Sequence, residues 1–564
     1  MAQSASLSGL GVDLSPRDQQ GRGPFCFWRH VMGLGRLFNM KSYLVVPAIT
    51  LMCFAAQAET VIETVKAGRV EPMTHYLEQG GDVNVSEADG TTLLMWAIEA
   101  RNSVAAKILI DAGADVSRMN RYGITALYLA ARQGDVIATR ALLAHGADAS
   151  GALPEGETVL MTASKSGNPE VLLLLLRGGA DVDGTMPIGE SPFLYGADPN
   201  ARESWHQQTA LMWAAATGNV DAMKVLIGSG ANVNDYTATI LAPIVKDEVR
   251  QGGFVYADIP PGRLTALHFA AREGQIESVR VLIEAGADLD IGDDFGTNAL
   301  VLATLNGYLD IAGLLLEAGA DPNVADKYGR TVLFMATDLN TLDHNPRPPP
   351  RIESELRPVG LVKLALAHDA EVDIPLKDAL PKWCAQGCMH NPVLVEGATA
   401  LLRAAMSGDV EIVRILLEAG ADPMVVTSEQ ERTELDIDYE TYPDGQTTPL
   451  LAAAGVGWRD LISRGRDNDA IEVIQIFLDL GADINQANQA GHTALHGATY
   501  RGSAAIIRFL VDNGADLFAE NIRGWTALDI AMGQPDQRIA PNQDTIALLR
   551  SLMPVEAKLS SLVN

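Results

Sequence analysis

The sequence predicts an all-α solenoid of about 12 two-helix repeats. A threonine or asparagine slot recurs eleven times, at Thr92, Thr125, Thr158, Thr209, Thr265, Asn298, Thr331, Thr399, Thr448, Thr493 and Thr526. Five of the ten successive gaps equal 33 residues. A Gly-Ala-Asp triplet recurs in register, at Gly113, Gly146, Gly179, Gly286, Gly319, Gly420, Gly481 and Gly514. A fixed period of this length indicates stacked repeats, because one short unit can bury its apolar side only against another copy.

The unit is clearest in residues 265–288. Thr265 can cap the start of a first helix, because its hydroxyl oxygen can accept a hydrogen bond from an unpaired backbone N–H. Small apolar residues form the packing face of that helix: Leu267, Ala270 and Ala271. After Gly274, a second helix is predicted from the helical spacing of Ile276, Val279, Leu282 and Ile283. Gly286 follows, where the chain leaves this helix in a left-handed conformation.

The 33-residue period and the TALH segments at Thr265 and Thr493 resemble the ankyrin repeat, whose T-P-L-H pattern has proline where this chain has alanine. The resemblance covers residues 59–553. It implies an ankyrin-repeat solenoid with β-hairpin fingers along one edge and protein binding in general. It also implies that His268 and His496 hold neighbouring turns together through hydrogen bonds.

The N-terminal region predicts an export signal. Residues 1–39 lack periodicity and are interpreted as an unstructured or non-native extension, with Met40 an alternative start. In residues 40–58, Lys41 precedes an apolar run from Leu44 to Ala55, and Ala56-Gln57-Ala58 fits signal cleavage. The alternative is a buried or membrane-anchoring helix. The apolar run is shorter than the roughly 20 residues that span a bilayer, so no stable membrane insertion is expected after cleavage. A periplasmic or secreted location follows.

The repeats fill residues 59–553 and are bounded by atypical ends. Residues 59–84 predict a first unit whose outer helix is polar enough to face water, as a capping repeat requires. The last unit runs from Thr526 to Met553, and residues 554–564 form a C-terminal tail.

Six insertions interrupt the period. Four lie between units, near residues 184–206, 235–262, 374–397 and 424–446. By the resemblance, these four are enlarged fingers on one edge, and insertions on one face of a repeat protein commonly form its binding face. Two lie between the paired helices, near residues 338–358 and 456–469, and belong to the opposite edge.

The four finger insertions carry aromatic residues, although aromatics make up only 5% of the chain. Candidate partner-binding residues are Phe193, Tyr195, Trp205, Tyr236, Phe254, Tyr256, Trp383, Tyr439 and Tyr442. Rigid aromatic side chains are favoured where one protein binds another. The alternative is that these rings pin long loops onto the solenoid, because long loops need small cores of their own.

Signal cleavage leaves two cysteines, Cys384 and Cys388, in the segment WCAQGCMH. In an exported chain the simplest interpretation is a local disulfide. The alternative is an accessory redox, haem or metal-binding role centred on Cys384, Cys388 and His390. Covalent haem attachment requires C-x-x-C-H, and this segment departs from it in both spacings.

Charge restricts the partner. The chain has a formal net charge of −29 at pH 7. Such acidity repels phosphate backbones and anionic membranes, and it favours a protein partner with a basic surface. No metal-ligand spacing, phosphate loop or nucleophile motif occurs in a fitting context, so neither an enzyme nor a cofactor is predicted. We expect an exported scaffold that binds a protein of the same compartment through its concave face and enlarged fingers.

Overall fold

The structure is a computed structural model that describes residues 61–154, 156–183, 207–238, 262–341, 354–378, 393–429, 445–457, 466–533 and 541–554. Within these ranges the chain forms 24 helices and no strand, apart from isolated β-bridges. The predicted all-α ankyrin-repeat fold is confirmed.

The helices alternate in chain order between a first and a second helix of each pair. The first helices are α1 (61–66), α3 (Leu93–Glu99), α5 (Ala126–Gln133), α7 (Val159–Ser166), α9 (Ala210–Thr217), α11 (Ala266–Arg272), α13 (Ala299–Leu305), α15 (Val332–Thr341), α17 (Ala400–Ser407), α19 (Pro449–Ala454), α21 (Ala494–Arg501) and α23 (Ala527–Ala531). The second helices are α2 (Glu71–Glu78), α4 (Ser103–Asp111), α6 (Val136–Ala144), α8 (Pro169–Arg177), α10 (Val220–Gly228), α12 (Ile276–Glu284), α14 (Leu309–Glu317), α16 (Pro358–Ala367), α18 (Val410–Glu418), α20 (Asp467–Asp479), α22 (Ala504–Asp512) and α24 (Gln543–Leu552).

The threonine slot begins the first helices as the sequence predicts. The Thr265 hydroxyl oxygen accepts a hydrogen bond from the backbone N–H of His268 at 3.4 Å, which satisfies one of the unpaired donors at a helix start. Gly286 has a φ of +81° and allows the chain to leave α12 in the left-handed conformation that glycine adopts without strain.

The stack is continuous from α3 to α24. Each first helix packs on the next first helix, and each second helix packs on the next second helix. The main core is built largely from alanine, leucine, valine and isoleucine of both helix rows. Small side chains let adjacent helices approach closely, so the short units share one elongated core. The insertions therefore leave the stacking order unchanged.

The N-terminal end of the stack faces water. In α2 only Met73 is fully buried, whereas Glu71 and Glu78 are exposed.

The predicted insertions 338–358 and 456–469 lie between paired helices, and their ends are partly helical, because α15 continues to Thr341 and α20 begins at Asp467. The predicted N-terminal extension 1–39, the signal peptide 40–58 and the tail after Pro554 lie outside the described residues. None of the helices described here has the length and apolarity needed to cross a membrane.

Candidate protein-binding surface

The fingers are short hairpins between units. The residues on either side of the insertion at 239–261 pair with each other as such a hairpin. Tyr236 and Thr265 form an antiparallel β-bridge. Inside it, the backbone N–H of Thr237 donates to the carbonyl of Leu264, and the N–H of Arg263 donates to the carbonyl of Thr237, both at 3.0 Å. The two ends of the insertion are thus fixed side by side on the stack.

Two more insertions have paired ends. The N–H of Leu376 donates to the carbonyl of Ala398 at 2.8 Å, which closes the base around residues 379–392. The N–H of Thr427 donates to the carbonyl of Thr447 at 3.2 Å, which closes the base around residues 430–444. Each base occupies the position of a finger in the repeat.

Neighbouring fingers are hydrogen-bonded to each other through their backbones. The bonds from N–H to carbonyl are Arg121 to Asp89, Asp294 to Gly262, Lys377 to Tyr328, Ser428 to Glu396, Gln489 to Gly445 and Ile522 to Ala490, at 2.8 to 3.2 Å. Because these bonds join the base of one finger to the next, the bases of the three insertions lie along one edge of the stack.

A second row of bonds, not predicted from the sequence, joins consecutive units. An Asn or Asp two positions after the Gly-Ala-Asp aspartate slot accepts a hydrogen bond from a backbone N–H of the next unit. These acceptors are Asn84, Asp183, Asn234, Asp290, Asn323, Asp373 and Asn485, with bonds of 2.7 to 3.0 Å. The sequence contains a partial signal, because four of the eight Gly-Ala-Asp triplets, at Gly179, Gly286, Gly319 and Gly481, are followed by Asn or Asp in this position.

The two TALH histidines lock the fingers to the first helices. His268 is buried, and its Nε2 lies 3.0 Å from the carbonyl oxygen of Thr297 in the next finger. His496 makes the matching contact with the carbonyl of Trp525 at 3.0 Å. Burial lowers the pKa of each imidazole to about 4, since desolvation disfavours the charged ring. The structural role implied by the resemblance is confirmed.

On the first-helix row, lysines from one unit cover indole rings of the next. The Lys66 ammonium lies 4.4 Å from the Trp96 ring centre, and the Lys165 ammonium lies 3.6 Å from the Trp213 ring centre. Lys165 also pairs with Glu157 at 2.9 Å. Both indole rings are half-buried, so this part of the row offers aromatic and charged groups to a partner.

Farther along, the chain covers its own first-helix row. Val393 and Leu394, just after the insertion at residues 379–392, are buried. They belong to a small apolar cluster with Phe334, Leu376, Ala398, Leu402, Met406 and Ala452. This cluster is separate from the main core, to which other faces of α15, α17 and α19 contribute. The residues that follow the insertion at 379–392 therefore have a local core. This core occupies the face of α15, α17 and α19 that is turned away from the second helices.

Of the candidate partner-binding aromatics, the structure describes only Tyr236. Its side chain is 49% exposed at the base of the insertion at residues 239–261, and the Arg263 guanidinium lies 5.3 Å from its ring centre. Phe193, Tyr195, Trp205, Phe254, Tyr256, Trp383, Tyr439 and Tyr442 lie outside the described residues.

The segment that contains Cys384, Cys388 and His390 also lies outside the described residues. Among the residues that are described, no three His, Cys, Asp or Glu side chains are grouped as metal ligands would be.

The chain matches known families over more than half of its length. A family described as ankyrin repeats in three copies matches residues 54–150, 105–186, 257–326 and 461–549. The single ankyrin repeat matches residues 206–238 and 396–428.

Curated relatives match only a stretch of repeats. The chain is 34% identical over 108 residues to the E3 ubiquitin-protein ligase KEG of Arabidopsis thaliana, which covers 19% of this chain and 5% of that protein. It is 32% identical over 116 residues to the B-cell lymphoma 3 protein homolog of Mus musculus, which covers 21% of this chain and 20% of that protein. Among solved structures, the human ASB11 ankyrin repeat domain aligns over 46% of this chain and 96% of its own, with 24% identity and a TM-score of 0.35.

Proposed function

Because this chain belongs to the ankyrin-repeat family, whose repeats generally mediate protein–protein interaction, we propose that it is an exported scaffold that binds a partner protein through its finger edge and first-helix row. Export is proposed from residues 40–58, and the partner is a protein of the same compartment. The family is typically non-enzymatic, and we propose a binding role without catalysis.

The observation that carries this proposal is the hydrogen-bonded finger edge. Backbone bonds between fingers and Asn/Asp bonds between units continue across the insertions. A surface fixed in this way loses little conformational entropy when a partner docks, and that improves affinity.

The first-helix row supports binding in its N-terminal part. Trp96 and Trp213 are half-buried there, each beside a lysine ammonium, whereas Val393 and Leu394 cover the row at α15, α17 and α19. A partner that enters from the concave side would therefore contact the row before α15. The net charge of −29 favours a partner with a basic surface at long range.

Capture from the native compartment tests the proposal. The mature chain from residue 59 is compared with a variant in which residues 184–206, 239–261, 379–392 and 430–444 are cut to ordinary finger length. The matched control removes residues 342–353, which connect α15 to α16 on the other edge. We expect the intact chain and the control to retain the same partner and the finger variant to lose it while its circular dichroism stays helical. Equal capture by all three would refute binding through the fingers.

Export is tested separately by mass spectrometry of the protein expressed with residues 40–564. We expect a mature N terminus at Glu59 outside the cytosol. Retention of residues 40–58 on a cytosolic product would refute export.

A further inference from the structure

Three consecutive fingers carry a row of aromatic and cationic side chains, of which only Tyr236 was predicted from the sequence as a partner-binding residue. We call Tyr236, Arg263, Phe295, Lys327 and Tyr328 the finger stripe. Tyr236 is 49% exposed and Phe295 is 39% exposed, and Arg263 is exposed beside them. The stripe begins at the base of the insertion at residues 239–261. It ends beside the base of the insertion at residues 379–392, where the backbone N–H of Lys377 donates to the carbonyl of Tyr328.

The cations of the stripe lie over its rings. The Lys327 ammonium is 4.6 Å from the Phe295 ring centre and 5.0 Å from the Tyr328 ring centre, so it bridges two fingers. The Arg263 guanidinium is 5.3 Å from the Tyr236 ring centre. Each contact holds a cation beside an aromatic ring; Tyr236 and Phe295 are exposed, and Tyr328 is half-buried.

Acidic residues of the same fingers accept hydrogen bonds from backbone N–H groups or pair with an arginine. Asp293 accepts hydrogen bonds from the N–H groups of Phe295 and Thr297, both at 2.8 Å. Asp294 accepts one from the N–H of Gly262 at 2.8 Å. Asp326 is buried and pairs with Arg330 at 2.6 Å. These contacts stabilise the turns. Of the three carboxylates only Asp294, next to Phe295 in the chain, is exposed, so the two cations of the stripe outnumber it.

Such a surface matches a carboxylate-bearing segment. Guanidinium groups bind carboxylates in bidentate geometry, and exposed rings pack against apolar side chains. The net charge of −29 acts at long range, but salt screens exposed charges beyond about 8 Å at physiological ionic strength. Contacts inside the stripe therefore depend on Arg263 and Lys327.

Finger spacing sets the register of the ligand. Stacked helices lie about 10 Å apart, and consecutive fingers share that spacing. A segment in the polyproline II conformation advances about 3.1 Å per residue and has three residues per turn, so every third side chain faces the same way and adjacent fingers meet every third residue.

We propose that the finger stripe binds an extended acidic segment of the partner protein, with apolar side chains at every third residue that pack on Tyr236, Phe295 and Tyr328. The carboxylates between them pair with Arg263 and Lys327. This inference rests on the proposed scaffold function and names the chemistry of its partner.

Fluorescence anisotropy with synthetic peptides tests it on the mature chain. The probe is a labelled nonapeptide with phenylalanine at its second, fifth and eighth positions and glutamate elsewhere. One comparison peptide replaces every glutamate by lysine, and another places the three phenylalanines together. We expect the first peptide to bind at least tenfold more tightly than either comparison. Equal affinity, or tighter binding of the lysine peptide, would overturn the proposal.

Variants then locate the site. Arg263→Glu combined with Lys327→Glu is expected to weaken the acidic peptide at least tenfold and to strengthen the lysine peptide. The matched control is Arg280→Glu, an exposed change on the second helix α12 that keeps the acidic peptide bound. Phe295→Ala should weaken both peptides. Equal losses in the control and the stripe variant, or self-association that depends on the stripe in sedimentation, would overturn the assignment.

Failure of this inference is distinguishable from failure of the scaffold function. If the intact chain captures a native partner and the Arg263→Glu, Lys327→Glu variant captures it equally well, the scaffold stands and the stripe assignment falls. If the intact chain captures nothing, the scaffold function falls whatever the peptides do.

Discussion

Acid should loosen this solenoid locally at two buried histidines, His268 and His496. Each is neutral in the fold, because burial lowers its pKa from the ordinary value of 6.5 to about 4. In the unfolded chain the same imidazole takes up a proton near its ordinary pKa. Their contribution to stability is therefore fully present above pH 6.5 and is lost as the pH falls towards 4.

The magnitude follows from that difference in pKa. The complete acid effect is about 3 kcal/mol for each histidine, at about 1.4 kcal/mol per pKa unit. Between about pH 7.5 and about pH 5, where the folded imidazole is still largely neutral, the loss is about 2 kcal/mol for each. A cost of this size is large beside the marginal stability of a typical domain.

Hydrogen exchange read helix by helix measures it, because long repeat arrays often unfold in parts. After correction for intrinsic exchange, the opening free energies of α11 and α21 should each fall by about 2 kcal/mol from about pH 7.5 to about pH 5. In His268→Gln the pH-dependent loss should disappear from α11 and remain in α21. His145→Gln, at an exposed position after α6, is the matched control and should change neither. An unchanged loss in α11 of His268→Gln would refute the reasoning.

Three further substitutions test other contacts of the fold. Asn323→Ala removes the acceptor for a backbone N–H of the next unit at 2.7 Å, so the opening free energy of α16 in hydrogen exchange should fall by about 1–2 kcal/mol. A loss within error would show that the row contributes nothing. Arg403→Met removes a buried guanidinium that lies 2.5 Å from the Asp338 carboxylate, whose side chain is 26% exposed, so we expect the opening free energy of α17 to fall by about 2 kcal/mol in the same assay, and a stable variant would contradict this. Val393→Asp introduces a charge at a fully buried position of the small cluster. Limited proteolysis should then cut between α16 and α17 while the helical circular dichroism persists, and unchanged resistance would show that the cluster is not needed there.

Much of the fold could be predicted because it repeats. The threonine slot, the glycine after each second helix and the TALH histidines each occupy one position in the period, so a local pattern fixes their role. The candidate site was predicted less completely. Among the proposed aromatics only Tyr236 is described, and the stripe depends on Phe295 and Tyr328, which lie in fingers of ordinary length. Their shared position, three residues before the Asn or Thr slot, was a signal in the sequence.

By itself the sequence determined the helix pairs and their caps, because these follow from short-range periodicity. Tertiary structure alone decided that Val393 and Leu394 cover the first-helix row and that Arg403 pairs with Asp338. It also decided that Lys327 bridges the rings of two fingers. The physical reason is that these contacts join side chains from different units that are distant in the sequence, so only the packed arrangement of the chain brings them together.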